Sequence, residues 1–126
     1  MKIVTIIVRI LLGVVFFVFG LNGFVGFIPM PPLTGTAGAF IGALFSSHYL
    51  YLVSGVELIA GILLLVNRFV PLALAMLAPM LANILAYHVT MQMEGVGLAV
   101  ITTLLWAFLA WRYRGHFTAL FVHKAV

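Results

Sequence analysis

The chain has 126 residues, 66% of them apolar and only 6% charged, with a formal net charge of +4 and no cysteine. Soluble domains carry about a quarter charged residues, and a soluble core of this size cannot hide so much apolar surface. A water-soluble globule is excluded, as are intrachain disulfides and thiolate chemistry, and six scattered bases without a basic stripe argue against a nucleic-acid partner.

In chain order, Met1-Lys2 is followed by an apolar run, Ile3–Ile28. It is too long for a signal peptide and lacks an A-x-A exit, so it reads as an uncleaved first span. About 20 apolar residues cross the hydrocarbon core at roughly 1.5 Å each. Tyr49–Val66, Phe69–Tyr87 and Val96–Trp111 are the next candidates. The last is short, so Arg112 and Arg114 are expected to snorkel to the interface. Asn67-Arg68 makes the second and third spans a tight antiparallel hairpin.

Between the first two spans, Pro29, Pro31 and Pro32 are expected to stop the first helix. Thr34 or Thr36 can cap a short helix running to about Ser46, too short to cross and rich in small residues. The tail 113–126 mixes bases with Phe117, Leu120 and Phe121, as an interfacial helix does. The sequence thus predicts one all-α domain over 1–126, a four-transmembrane-helix bundle with a short non-spanning outer helix. Lys2, Arg9, Arg68, Arg112, Arg114 and Lys124 all fall at one set of span ends, which places both termini in the cytoplasm. The same bases attract anionic membrane lipid.

Among polar residues inside the runs, Glu57 is the most informative. It lies about 11 residues before Arg68, hence roughly 16 Å from the inner interface, where a bare carboxylate is expensive. It is expected to face the bundle as a ligand-binding or proton-handling group, or else in a structural ion pair or a buried hydrogen bond. Ser54, Glu57, Gly61, Leu64 and Arg68 share its face. Arg9 has two placements: at the inner interface, or paired with Glu57. Its stripe of Gly13, Phe16, Gly20 and Gly23 suits helix packing and favours the pair. Pro79 is expected to kink the third span, with Asn83 one turn on and Met76 and Met80 as adaptable walls. Arg9, Glu57, Asn83 and His88 are therefore the ligand-binding or proton-handling candidates. Gly13, Gly20, Gly61, Met76, Pro79 and Met80 are the cavity or packing residues. A pocket is expected between spans one, two and three. His48 with His88 is weak support for a haem, and His88, Met91 and Met93 for copper, so no metal is assigned.

Arg9-x-x-Leu12-Gly13-x-x-Phe16-x-x-x-Gly20, Glu57-x-x-x-Gly61-x-x-x-Leu65-x-x-Arg68 and the run from Asn67 to His88 resemble the DoxX-like membrane proteins over nearly the whole chain. Many relatives carry a lysine near Asn22, so any role of that lysine does not transfer. The resemblance implies four transmembrane helices in a bacterial inner membrane. One branch is a subunit of a thiosulfate:quinone oxidoreductase, which implies quinone as ligand and a peripheral redox enzyme as partner. On that reading Arg9, Glu57 and Asn83 hold the ring. Two alternatives stay open: a non-catalytic chaperone or lipid binder, and a small proton-coupled transporter. The transporter would need a homodimer, because one chain has no second half to rock against.

Overall fold

The computed structural model describes residues 1–29 and 32–124. Among them every regular element is helical: α1 (Lys2–Val25), α2 (Gly35–Ser46), α3 (Tyr49–Val66), α4 (Val70–Thr90) and α5 (Val96–Arg112), then a 3₁₀ helix (Arg114–Phe121). α1 packs against α3 and α5, α3 against α4, and α4 against α5. The four long helices thus close a ring in the order α1, α3, α4, α5.

α1, α3 and α4 are each long and apolar enough to cross a membrane. α5 has 17 residues, and the 3₁₀ helix that follows is turned 82° from it. At 1.5 Å per residue α5 reaches roughly 25 Å, the lower limit for a span. The chain is therefore a multi-pass helical membrane protein with three to four spans. The first turn of α1 meets the last turn of α5, where Arg112 Nε donates to Thr5 Oγ1 at 3.0 Å.

Several boundaries differ from the sequence reading. α1 stops at Val25 and not at Ile28, because Gly26 takes the left-handed conformation (φ 69°) and its N–H bonds Asn22 O at 2.7 Å. This is the usual glycine stop, and the Asn22 side chain reinforces it by accepting the Ile28 N–H at 2.7 Å. The helix ends before the prolines are reached, and Pro31 lies outside the described residues. Thr34 occupies the N-cap of α2 but makes no side-chain cap bond. α4 runs on to Thr90 and not Tyr87, with Pro79 inside it. The tail forms a 3₁₀ helix with Leu120 and Phe121 strongly exposed, and residues 125–126 of that expected segment lie outside the described ones.

α1 and α3 make the closest contact. A Cβ placed on Gly20 would stand 2.5 Å from Leu58 N, and one on Gly61 2.5 Å from Phe17 N. Only glycine lets two backbones approach so closely, and dispersion contacts between them replace the hydrophobic drive that lipid cannot supply. Beside this seam lies the packed core: Leu12 and Phe16 of α1, Ala60 and Leu64 of α3, Val70 through Leu81 of α4, and Leu109 of α5. Most of it lies in the half of the bundle nearer the basic end, with Phe16 and Leu81 reaching the middle. Trp106 locks α5 to α4 there, its indole N–H donating to Leu74 O at 2.8 Å.

Candidate functional site

The other half of the bundle is not filled. A cavity of about 320 Å³ lies between α1, α3, α4 and α5. Phe16 and Leu81, members of the packed core, form its floor. Its polar groups are Glu57, His88 and Thr102; the rest of the lining is apolar. Phe19 and Leu98, on α1 and α5, also line it and are 40% and 49% exposed, so the cavity opens sideways between those helices.

Glu57 reaches this space because it lies midway along α3, on the side opposite exposed Ile59 and Ile62. Among the described residues no donor or cation meets its carboxyl. His88 is brought in by a helical stripe, Leu81, Ile84 and His88, along one face of α4. Its Nδ1 is 2.8 Å from Ile84 O, which assigns the proton to Nδ1. In the neutral ring this leaves Nε2 to accept; it lies beside Gly95, where an added Cβ would stand 3.4 Å from it. Thr102 spends its hydroxyl proton on Leu98 O at 2.8 Å, as expected of a threonine in a membrane helix.

Two of the four candidate side chains are therefore brought together and two are not. Arg9 does not pair with Glu57. It is buried, and its guanidinium donates to Leu64 O, with a longer contact to Leu65 O at 3.4 Å. The physical reason is the end of α3. The last carbonyls of a helix have no intrahelical partner. Leu63 O is taken by the N–H groups of Asn67 and Arg68. Arg9 takes the next two, and its charge suits the negative end of the helix dipole.

Asn83 faces outward, exposed, and its amide donates to Pro79 O of its own helix at 2.8 Å. It lies outside the cavity, as do Met76, Pro79 and Met80. Gly13, Gly20 and Gly61 serve packing and not space, since the facing helix fills what they leave. The expected pocket between spans one, two and three is thus displaced to the centre of the ring, where α5 supplies a wall. Thr102 bonds its own helix, as a threonine in a span is expected to, and only its place on the cavity wall, with Phe19 and Ala99, escapes the sequence; the Leu81–Ile84–His88 stripe is the signal that could have found the cavity.

His48 and His88 are separated in role. His48 is exposed at the N-cap of α3 and stacks on Tyr51 with ring centroids 5.8 Å apart. Among the described residues no three His, Asp or Glu side chains gather as metal ligands.

A DoxX family model matches residues 4–93, which takes in Arg9, Glu57, Asn83 and His88 but not α5. No curated protein and no solved structure matches the chain.

Proposed function

The chain belongs to the DoxX family, and from that premise we propose that it binds a quinone or another polar-headed lipid as an accessory subunit of a redox system in a bacterial inner membrane. On this reading it has four spans and both termini in the cytoplasm. The observation that carries the reading is the shared cavity of Glu57 and His88, two polar side chains whose reactive atoms no other described side chain occupies. The Glu57 carboxyl can donate or accept a hydrogen bond according to its protonation, and His88 Nε2 can accept one. A ring bearing oxygens at its two ends offers hydrogen-bond partners to both. The volume lies at the lower end of ligand pockets, which run from about 300 Å³ upward. It suits a head group, with the tail leaving between Phe19 and Leu98 into lipid. Electrons would come from a peripheral partner enzyme.

The test is to identify what travels with the protein. Mass spectrometry of small molecules extracted after gentle purification should find a quinone at near-stoichiometric level. Glu57→Leu and His88→Leu should each lower its retention, while Asn83→Leu, outside the cavity, should not. Loss in Asn83→Leu alone would refute the site. The apolar side opening also suits a phospholipid chain, so bound phospholipid without quinone would favour the lipid-binder reading. Proton-coupled uptake by vesicles carrying the protein would favour a transporter.

A further inference from the structure

Glu57 and Phe19 line a second space as well as the inner cavity. This vestibule, of about 510 Å³, lies at the α2 end of the bundle. It is bounded by the last turns of α1, the first turns of α3, and Ile41 and Phe45 of α2. Its wall is the more polar of the two. His48 stands exposed at its rim, and Tyr51, Ser54 and Glu57 follow at three-residue steps down α3. Asn22 completes it from α1.

A carboxyl at mid-membrane depth needs a partner or water. Among the described residues no donor or cation reaches Glu57. Water is left, and the vestibule has room for on the order of ten molecules at the liquid volume of about 30 Å³ each. We propose that the vestibule is a water-filled route by which the Glu57 carboxyl exchanges its proton with the aqueous phase at the α2 end, while the inner cavity holds the ligand on its other side. A proton given by Glu57 to a ligand atom leaves a carboxylate, which vestibule water reprotonates. In the reverse sense the carboxylate takes the ligand's proton and releases it to the same water. No electron moves in either step. The other titratable groups facing these spaces are His88 from α4, His48 at the N-cap of α3 and Tyr51 in its first turn; α1, α2 and α5 contribute none. This deepens the function proposed above and rests on it for the cavity's occupant. The route itself is testable without any ligand, so the two can fail separately.

The intact chain has no cysteine, so Leu50→Cys and Ile41→Cys, both on the vestibule wall, each carry a single thiol. Ile59→Cys, at a 53% exposed position on the outer face of α3, is the comparison. In phosphatidylcholine nanodiscs, a charged methanethiosulfonate should label the vestibule thiols roughly a hundredfold faster than the lipid-facing one, because it attacks thiolate and each unit of thiol pKa is tenfold in that form. A water-soluble carbodiimide with an amine nucleophile should then amidate Glu57, read by peptide mass spectrometry. Prior labelling of Leu50→Cys or Ile41→Cys should cut Glu57 amidation severalfold and leave Glu94 unchanged. If both vestibule thiols react as slowly as Ile59→Cys, or if Glu57 is amidated equally after the block, the route is overturned.

Discussion

Replacing Arg9 by methionine removes the cation from the end of α3 while keeping much of the side-chain volume. Two carbonyls lose their donor. The bond to Leu64 O is a charge-assisted one, and such bonds contribute about 1.5–3 kcal/mol. The Leu65 contact, at 3.4 Å, adds little. Against this stands the recovered cost of burying the charge of a residue that is only 9% exposed and that meets no carboxylate among the described residues. Polar contacts measured within membranes also average below 1 kcal/mol, because the unfolded chain finds partners too. The net loss should therefore be about 1–2 kcal/mol, and Arg9→Lys should recover part of it. Reversible unfolding in bicelles gives the number. A cycle with Glu57→Gln separates the two explanations of Arg9: the structure requires a coupling below about 0.5 kcal/mol, as for sites without shared partners. A coupling above 1.5 kcal/mol would mean that Arg9 and Glu57 are an ion pair after all, and the assignment of Arg9 to the helix terminus would be refuted.

Gly61→Ala should destabilise by about 1–3 kcal/mol despite alanine's better helix propensity, since the new methyl meets the Phe17 backbone and no flexible side chain. Thermal unfolding in detergent would measure it, and an unchanged midpoint would contradict the close α1–α3 seam. For topology, a cysteine introduced at Glu94 should label from outside whole cells and one at Arg114 should not. The reverse pattern would invert the proposed orientation.

The sequence alone determined what depends on the solvent. Length and hydropathy located the long helices to within a few residues, because a bilayer demands internal satisfaction of every backbone group and so leaves helix as the answer for a 20-residue apolar run. The glycine stripe of α1 and the inward direction of Glu57 were legible for the same reason: close packing and buried charge each leave a periodic mark. What tertiary structure decided was which polar groups meet. Arg9 and Glu57 looked like partners because they are opposite charges expected at similar depth. The helix that Arg9 touches, however, ends in orphan carbonyls, and backbone acceptors carry no signature in the side-chain sequence. Asn83 looked inward because polarity suggested it, yet its amide is satisfied within one turn of its own helix and can face outward. The cavity was invisible for a related reason. It begins where the packed core stops, at Phe16 and Leu81, and where a bundle is left unfilled depends on how four helices interdigitate, not on any one of them.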